Sequence, residues 1–426
     1  MRAAYSLALG LGIALASPLL AARMARGRYR EIALARLGLG KSWLPQARPG
    51  GIWLHALSVG EVKSALPLLS ALGGRFPDMP RYLSVATAQG LAVAADSLDG
   101  GSEVNLFVRP LDLPWAVRRV LARLKPRLFC LVEGDIWPNW QWGLGARGVP
   151  RLLVNGRVSP RTYRGYRRLG PFARALWDGF ELVLVQTQVD YERLRQVGVP
   201  PERLAVGGNL KFDSAPARLS QAERQSLAAE LGLEDRRVLI AGSTHGGEEE
   251  PCLEAYAYLK DEHPDLSLII APREVERGGD LAQMARARGL SVARLSQGSP
   301  PQGSQVVVLD VLGRLAQAYA LASASFVGGS LVEVGGHNLL EPAAQGVPVV
   351  FGPITYNFLE LAEELEATGG GVRISQGREL AGVWGGLLRE PSRAKAMGQA
   401  GLEFCRAHRG AVSRALHEAE ALLGES

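Results

Sequence analysis

A glycine-rich segment at residues 326–351 holds the densest set of residues that could bind a ligand: FVGGSLVEVGGHNLLEPAAQGVPVVF. An apolar run at 324–327 predicts a buried strand, glycines break it, and Asn338 is placed to cap a helix that continues through residue 343. A loop that opens onto a helix in this way presents backbone N–H groups to an anion, most naturally a phosphate. Glu341 lies one turn into the helix, where its carboxylate can accept hydrogen bonds from a ribose diol. We therefore predict a nucleotide-sugar pocket here.

Two acidic residues each follow a predicted strand. Glu61 opens a helix after the strand at 52–56, and a carboxylate at a helix N-terminus is stabilised as the anion, so its proton affinity should be low unless burial opposes this. That position suits a general base, although an acid that only complements the helix dipole is the alternative. Glu133 directly follows the strand at 128–132, in the sequence EGDIWPN, which predicts either a cleft wall or a packed turn.

Basic side chains occupy three further places. The stretch 155–168 (NGRVSPRTYRGYRR) carries five arginines, which either pair with phosphates and carboxylates or form a solvated basic helix. Lys211 lies in the sequence GGNLKFDSAP at 207–216, which predicts a hinge between two domains. Arg273 ends a predicted strand, where it would point at a nucleotide phosphate, and AGSTHGGE at 241–248 predicts another anion-binding turn.

The histidines and cysteines show no metal-binding pattern. The six histidines form neither an HxxxH nor an HExxH motif, and no DxD carboxylate pair is present for a divalent cation. The three cysteines are far apart in apolar or helical contexts, which indicates neither a disulfide framework nor a zinc site. We therefore predict an active site without a metal or cofactor, in a reducing compartment.

Composition limits the classes of partner. A chain of 426 residues is long enough for two domains, and a content of 47% hydrophobic and 21% charged residues is typical of a globular protein. The net charge of +6 indicates nucleic acid, an anionic membrane surface or a phosphorylated substrate as partner. The sequence has no nucleic-acid-binding motif and no lysine-rich tract, so the latter two are favoured.

The N-terminus carries a membrane signal. Residues 5–22 form an uncharged run of 18 residues, close to the lower limit of about 17 for a membrane-spanning helix. Only Arg2 precedes the run, whereas arginines follow it at 23, 26, 28 and 30, so the positive-inside rule places the body of the protein in the cytoplasm. These arginines argue against a cleaved signal peptide. Pro18 and two glycines leave a shallow in-plane anchor open as the alternative to a spanning helix.

The remaining sequence alternates short apolar runs with stretches of helical period, which is typical of parallel α/β sheets. We predict two doubly wound, Rossmann-like domains facing one another across a cleft, with an apolar anchor and its basic flank at 1–30, a first domain at 31–213 and a second at 214–426. Ligands of such sheets bind beyond the carboxyl ends of the strands. The predicted strands are residues 52–56, 82–86, 128–132, 152–155 and 182–185 in the first domain, and 238–241, 268–271, 306–309, 325–327, 349–351 and 372–374 in the second.

Taken in chain order, these segments resemble the 3-deoxy-D-manno-octulosonic acid (Kdo) transferases of lipid A assembly. The resemblance implies a GT-B glycosyltransferase that moves Kdo from CMP-Kdo to a lipid A precursor, lipid IVA, with inversion and without a metal, at the cytoplasmic face of the inner membrane. The matching sequences, which run through nearly the whole chain, are SVGE at 58–61, IWPN at 136–139, Asn155 with Arg157 and Ser159, NLKFD at 209–213, STH at 243–245, GE at 247–248, PR at 272–273, FVGGSLVE at 326–333, GGHN at 335–338 and NF at 357–358.

The resemblance also implies roles for individual residues. The base would be Glu61, and Glu133 and Lys211 would stabilise the transition state. The residues that would hold CMP are Pro272, Arg273, Leu312, Gly313, Arg314, Asn338, Leu339, Leu340 and Glu341.

The sequence departs from the family pattern at several positions. Glu-Gly-Asp at 133–135 stands where the family has Glu-Thr-Glu, and Arg314 stands where it has an acidic residue. Glu274 replaces a histidine, and Val334 replaces an arginine. Two alternatives therefore stay open: a divergent GT-B enzyme that uses another nucleotide sugar or acceptor, and an inactive membrane-anchored scaffold of the same fold.

Overall fold

The chain divides into two compact units, the first made of Met1–Ser214 with His408–Ser426 and the second of Ala215–Ala407. The computed structural model describes residues 2–24, 34–37, 48–98 and 104–424. Within these ranges, each unit contains a parallel sheet of seven strands with helices between them. This confirms the predicted pair of doubly wound α/β domains.

The described part of the first unit is built on seven parallel strands. They are β1 (Ile52–Ala56), β2 (Arg81–Val85), β3 (Val104–Val108), β4 (Leu128–Val132), β5 (Arg151–Gly156), β6 (Leu182–Val185) and β7 (Leu204–Val206). Their order in the sheet is β3-β2-β1-β4-β5-β6-β7, and all five residues of β1 and of β4 are buried. Because the chain order reverses between β1 and β4, the loops that follow these two strands border a crevice, the usual place for a ligand.

Helices cover both faces of this first sheet. The helices in the described part of this segment are α1 (Arg2–Met24), α2 (Val59–Arg75), α3 (Ala88–Leu98), α4 (Pro114–Leu124), α5 (Pro138–Gly145), α6 (Pro160–Leu169), α7 (Pro171–Trp177) and α8 (Gln188–Val197). Successive side chains of a strand point to opposite faces. Ile52 and Leu54 of β1 accordingly join a core cluster with α2, whereas Trp53 joins a different cluster with α4 and α5. This two-sided burial explains why β1 reads as a continuous apolar run.

All residues of the second unit, 215–407, are described, and they form another seven-stranded parallel sheet. Its strands are β8 (Arg237–Thr244), β9 (Leu266–Pro272), β10 (Val292–Arg294), β11 (Val306–Val308), β12 (Ala322–Val327), β13 (Val349–Phe351) and β14 (Gly371–Arg373). Their order is β10-β11-β9-β8-β12-β13-β14, so the chain order reverses between β8 and β12. The turns that follow β8 and β12 are therefore neighbours at the carboxyl edge.

The helices of the second unit follow the same alternation with its strands. Ser220 and Glu223 form a reciprocal capping box at the start of the first of them. The helices are α9 (Gln221–Glu230), α10 (Glu249–Leu259), α11 (Gly278–Arg286), α12 (Leu315–Ala318), α13 (Leu340–Gln345), α14 (Leu359–Ala367), α15 (Leu380–Arg389) and α16 (Pro391–His408).

The last helix, α17 (Ala411–Gly424), belongs to the first unit and not to the second, where the sequence had placed it. Its small residues at 411, 415 and 419 recur every four positions and are buried in the core cluster that contains β1 and α2. Asp213 accepts the backbone N–H groups of Gly410 at 2.7 Å and Val412 at 2.8 Å. The start of α17 is therefore fixed to the end of the first unit's main segment.

The strands β3, β7 and β10 were not predicted from the sequence, and each lies at an edge of its sheet. An edge strand is covered less completely than a central one, and most residues of these three strands are only partly buried. Their sequences are therefore short or mixed in polarity (VNLFV, LAV and VAR) and lack the apolar run that revealed the central strands.

The helix α1 begins against the body of the first unit. Tyr5 donates its hydroxyl to Asp112 Oδ2 at 3.0 Å, and the Ser6 hydroxyl donates to Asn139 Oδ1 at 3.0 Å. Across residues 2–24 and the other described ranges, no helix has the length and apolar character needed to cross a membrane, which differs from the predicted spanning segment at 5–22. The arginines at 26, 28 and 30 of the predicted basic flank lie outside the described residues.

Candidate active site

Glu61 lies in the first turn of α2, close to the loop that follows β1. Leu57 donates its backbone N–H to Glu61 Oε2 at 2.6 Å, and the N–H of Glu61 donates to Ser58 Oγ at 3.4 Å. The Ser58 hydroxyl is also 3.4 Å from Glu61 Oε1. These contacts fold the carboxylate back over the start of the helix and leave Glu61 only 6% exposed. The turn therefore fixes a nearly buried acid at the carboxyl end of a central strand.

Burial has the largest influence on the pKa of Glu61 and raises it from an ordinary value of 4.5 to about 8. The Leu57 N–H opposes this increase, whereas the negative charges of Glu133 and Asp135 add to it. The sequence predicted a low proton affinity unless burial opposed the helix dipole, and burial outweighs the dipole here. A carboxylate whose pKa is near 8 can take a proton from a substrate hydroxyl close to neutral pH.

Glu133 and Asn155 both hold their side chains on a left-handed backbone. Their φ angles are 68° and 59°, a conformation that costs on the order of 1–3 kcal/mol for such residues and that clusters at functional sites. Asn155 Nδ2 donates to Glu133 Oε1 at 3.4 Å. Burial raises the pKa of Glu133, while the cations of Lys211 and Arg157 lower it. This backbone conformation could not be predicted from the sequence, because the left-handed region is usually occupied by glycine.

Asn155 connects Glu133 to the segment that carries Lys211. Asn155 Oδ1 accepts the backbone N–H of Leu210 at 2.9 Å, next to the Nδ2 group that donates to Glu133. The Lys211 cation is close enough to Glu133 to lower its pKa. The structure thus brings Glu61, Glu133 and Lys211 to one edge of the first sheet, and their catalytic roles stay predictions.

The segment 133–139 combines both alternatives that its sequence allowed. Its acidic start belongs to the cluster around Glu61, whereas IWPN forms a packed turn. Asp112 accepts the backbone N–H groups of Asn139 and Trp140, each at 3.1 Å, at the start of α5. Asp112 therefore caps this helix, which the sequence could not show because Asp112 and Asn139 lie 27 positions apart.

The five arginines of the stretch 155–168 do not form a single site. Arg157 influences Glu133, whereas the other four lie on α6, a helix without a buried residue. Ser159 begins α6 by accepting the Thr162 N–H at 3.1 Å. The helix is therefore the solvated basic surface that one alternative predicted, and its guanidinium groups are exposed to anionic partners.

A buried carboxylate occupies the glycine-rich turn of the second unit. Glu248 is 0% exposed. It accepts the backbone N–H groups of Gly329 at 2.7 Å, Ser330 at 3.0 Å, Leu331 at 2.9 Å and His245 at 3.0 Å. The sequence predicted a loop with free N–H groups for a phosphate. That prediction is wrong for residues 329–331, because the protein's own carboxylate accepts these hydrogen bonds.

Two histidines join the same turns. His245 Nε2 lies 2.8 Å from His337 Nε2, and the rings are nearly parallel, with centroids 5.1 Å apart. Together with Glu248, this contact fixes the turn after β8 to the loop after β12. Both histidines belong to segments that the sequence singled out, but their contact depends on the parallel pairing of β8 with β12 and could not be predicted from spacing.

The residues predicted to hold CMP follow strands of the second sheet. Pro272 is buried at the end of β9, while Arg273 is exposed and donates its backbone N–H to the Thr244 carbonyl at 2.9 Å. Leu312 is 73% exposed, and Gly313 has a φ of 79°, which glycine adopts without strain. Two of the predicted contacts, those of Arg273 and of the 312–313 turn, are therefore accessible to a ligand.

Three other predicted contacts are engaged within the protein. Arg314 Nη2 pairs with Glu230 Oε1 of α9 at 2.5 Å, with both side chains partly exposed. Leu339 and Leu340 bury their side chains, so only their backbone groups can reach a ligand. Arg314, which departs from the family pattern, therefore pairs with Glu230, and an acidic residue at position 314 would be repelled by that glutamate.

Asn338 and Glu341 support each other at the start of α13. Asn338 Oδ1 accepts the Leu340 N–H at 3.1 Å, and Asn338 Nδ2 donates to Glu341 Oε1 at 3.2 Å. The N-cap position of α13 is Leu339 and not, as the sequence had predicted, Asn338, so Asn338 bonds to the helix from one residue further out. The second contact fixes the carboxylate that we predict to accept hydrogen bonds from a ribose diol. That role stays a prediction.

The described residues were predicted to bind no metal. Among the described residues, no group of three or more His, Cys, Asp or Glu side chains is placed to hold a metal ion. Cys130, Cys252 and Cys405 are all buried. The metal-free reaction stays a prediction.

Comparison with known proteins identifies the family. Residues 31–214 match the family model described as 3-Deoxy-D-manno-octulosonic-acid transferase (kdotransferase). The 3-deoxy-D-manno-octulosonic acid transferase of Bordetella pertussis is 36% identical, over 95% of this chain and 94% of its own. This chain belongs to the Kdo transferase family. The transferase of Haemophilus influenzae, 32% identical over 91% of each chain, agrees with this assignment, and the resemblance noted in the motifs is confirmed.

Solved structures show the fold of this Kdo transferase family member. The UDP-GlcNAc 2-epimerase of Neisseria meningitidis bound to UDP-GlcNAc has a TM-score of 0.56, with 11% identity, and covers 88% of this chain and 100% of that chain. A second UDP-N-acetylglucosamine 2-epimerase structure gives a TM-score of 0.55 at 14% identity, over 89% of this chain and 97% of that chain. At this level of identity the likeness establishes a GT-B-like fold of two parallel-sheet domains.

Proposed function

We propose that this protein transfers Kdo from CMP-Kdo to a hydroxyl of a lipid A precursor, in the assembly of the lipopolysaccharide core. Family membership over nearly the whole chain supports the reaction class. The observation that carries the proposal at the level of chemistry is the cluster of Glu61, Glu133 and Lys211 at the carboxyl edge of the first sheet. It joins an acid with a raised pKa to a second acid and a cation.

Glu61 acts as the base in this proposal. Its carboxylate takes the proton of the acceptor hydroxyl while the oxygen attacks the anomeric carbon of Kdo from the face opposite the phosphate. The bond between that carbon and the phosphate oxygen breaks, and CMP leaves with the electron pair, so the configuration inverts. A base of this kind contributes on the order of 10²–10⁴-fold. With a pKa of about 8, Glu61 gains its active, ionised form as the pH rises towards 8.

Cationic and N–H groups stabilise the charge that develops on the departing phosphate. Arg273 is exposed at the end of β9, and the backbone of the 312–313 turn and of residues 338–340 is near the carboxyl edge of the same sheet. The amides of 329–331 are not included, because Glu248 already accepts their hydrogen bonds. The phosphate site therefore uses residues on either side of that turn.

We also propose that the protein works at the cytoplasmic face of the inner membrane. The apolar run at 5–22 supports an association of the N-terminus with lipid, and two leucines of α1, Leu7 and Leu11, are 67% and 57% exposed. The exposed arginines of α6 support attraction to anionic headgroups. A lipid A precursor is itself held in a membrane, so such a location brings enzyme and acceptor together.

A transfer assay with the purified full chain tests the proposed function. Incubation with CMP-Kdo and lipid IVA should give a product whose mass has increased by one or more Kdo residues, with and without a metal chelator. CMP should raise the melting temperature more than UDP does. No product, together with stabilisation by UDP and not by CMP, would replace this proposal with an enzyme for another nucleotide sugar. No product and no stabilisation by either nucleotide would favour the inactive scaffold.

A further inference from the structure

Asp135 lies in a buried polar cluster behind the acids of the candidate active site. His55 Nε2 is 3.3 Å from Asp135 Oδ2, and Arg109 Nη1 is 3.7 Å from the same oxygen. The Arg109 guanidinium also lies over the Trp137 ring, 4.3 Å from its centroid. His55 is 0% exposed and Arg109 is 8% exposed, so these partners are held inside the fold.

The hydrogen bonds of His55 fix the charge of this cluster. Burial lowers the pKa of His55, so its ring is neutral and carries one proton. His55 Nδ1 lies 2.9 Å from Ser84 Oγ, which also accepts the Trp53 indole N–H at 2.9 Å, and 3.0 Å from the Ser84 carbonyl oxygen. With the Ser84 hydroxyl as the donor to Nδ1, the ring proton is on Nε2 and donates to Asp135. The opposite tautomer would donate to the Ser84 carbonyl, but it would direct a lone pair at the carboxylate.

Asp135 is consequently held as an anion. Burial alone would favour its neutral form, but the hydrogen bond from His55 and the charge of Arg109 outweigh burial and lower the pKa of Asp135. A carboxylate that is ionised throughout the working range is a constant charge, unlike Glu61. The loops after β1 and β4 place this constant charge in the same acidic cluster as Glu61.

We propose that Asp135 is a positioning residue that holds a fixed negative charge near Glu61 and thereby sets the pH range in which Glu61 acts as a base. The proposal rests on the proposed function, because it takes Glu61 as the base. Neither the family assignment nor the predicted catalytic residues give Asp135 a role, and it stands where the family pattern has a glutamate.

The direction of the effect follows from the groups that act on Glu61. Burial, Glu133 and Asp135 raise the pKa of Glu61, whereas the Leu57 N–H and the Ser58 hydroxyl lower it. A nearby negative charge disfavours a second one. If the charge of Asp135 is removed, the pKa of Glu61 should fall, and Glu61 should become an active base at lower pH.

The pH dependence of kcat/KM tests this, because it reports groups of the free enzyme. We expect Asp135→Asn to move the acid limb of the profile to lower pH by about half a unit or more. Asp135→Glu keeps the charge and should leave the limb close to that of the wild type. Asp112→Asn is the matched control: Asp112 is another buried acid of the first unit, it caps α5, and it does not act on Glu61. The acid limb of the Asp112→Asn profile should coincide with that of the wild type.

A second measurement does not depend on transfer. Carbon-13 NMR of protein labelled at glutamate carboxyls, with the Glu61 signal assigned by its loss in Glu61→Gln, should show Glu61 titrating at lower pH in Asp135→Asn. If that variant does not fold, Asp135→Ser removes the same charge from a smaller side chain. An unchanged titration in the neutral variant, or an equal change in Asp112→Asn, would overturn the proposal. A wild type that transfers no Kdo would refute the proposed function alone, since the titration would still decide the role of Asp135.

Discussion

Among single residues, Glu61 has the most direct expected phenotype. Glu61→Gln keeps the size and shape of the side chain and removes its ability to accept a proton. We expect transfer of Kdo to fall by about 10²-fold or more, because a positioned base contributes that much. CMP affinity measured by calorimetry should be unchanged, since Glu61 and the predicted CMP contacts belong to different units. Turnover within a few-fold of the wild type would remove Glu61 from the role of base.

Burial of Glu61 should also make stability depend on pH. Its pKa in the folded chain, about 8, lies above its ordinary value of 4.5. The stability linked to this group is therefore fully present below about pH 4.5 and is lost as the pH rises through about 8. Glu61→Gln stays neutral, so its melting temperature should exceed that of the wild type above pH 8, and the difference should disappear towards pH 4.5.

Glu202→Gln is the matched control for this comparison, because Glu202 is an exposed acid of the same unit. Its melting temperature should follow the wild type at every pH. A Glu61→Gln variant that gains nothing at high pH would show that Glu61 ionises at an ordinary pKa.

Glu248 should be among the most sensitive positions for the stability of the second unit. Glu248→Ala leaves four N–H groups without their acceptor, two of them buried and two partly buried, and each buried loss costs about 1–3 kcal/mol. We expect a decrease in unfolding free energy of about 3 kcal/mol or more, measured by denaturant unfolding. Glu250→Ala removes a largely exposed carboxylate two residues away, whose ion pair with Arg288 should contribute less than about 1 kcal/mol. Equal losses in the two variants would contradict the role of Glu248.

At the scale of elements, α17 tests the assignment of the C-terminus to the first unit. Ala419 is 0% exposed within the core cluster of β1 and α2. Ala419→Leu should overpack this contact and lower the unfolding free energy by about 1–3 kcal/mol. Ser413→Leu places the same side chain on the exposed face of α17 and should change it little. A neutral result at 419 would mean that α17 does not pack there in solution.

Strands could be predicted from the sequence where both of their faces are buried. The central strands β1, β4 and β6 were predicted with the bounds that the structure has, because both faces of each are covered and their sequences are continuous apolar runs. The edge strands β3, β7 and β10 were not predicted, because one side is less covered and the sequence is mixed. The packing of α17 on the first unit depends on a tertiary contact of its small residues. A helical period in the sequence does not show which of the two domains such a helix joins.

The candidate site also contains features that could be predicted from the sequence and features that could not. Glu61 and Glu133 could be predicted because each follows a buried strand, and the carboxyl ends of neighbouring parallel strands meet at one edge. The left-handed backbone at Glu133 and Asn155 could not, because both residues prefer other conformations. The hydrogen bonds of Glu248 to residues 329–331 could not be predicted either, since these partners lie more than 80 positions away.

At the scale of the whole molecule, the charge distribution predicts how the protein meets membranes. The full chain should sediment with anionic vesicles, and a variant that lacks residues 1–22 should retain weaker binding through exposed arginines such as those of α6. This residual binding should fall as salt is raised, because exposed charges are screened over about 8 Å at physiological ionic strength.

The truncated variant should still melt cooperatively, although it loses the hydrogen bonds of Tyr5 and Ser6 to the body. Neutral vesicles are the control for the charge dependence. Equal sedimentation of both forms with neutral and anionic vesicles would contradict the electrostatic account, and a truncated form without a cooperative transition would make residues 1–22 part of the folded core.

The occupied glycine-rich turn has a consequence for inhibitor design. Because Glu248 already accepts the hydrogen bonds that the amides of 329–331 donate, a nucleotide analogue gains no hydrogen bond there from an additional phosphate. A diphosphate such as CDP would instead bring a second anion towards a buried carboxylate. Compounds that keep one phosphate and extend it with an uncharged group that donates hydrogen bonds should suit this turn better than nucleotides with two or more phosphates do.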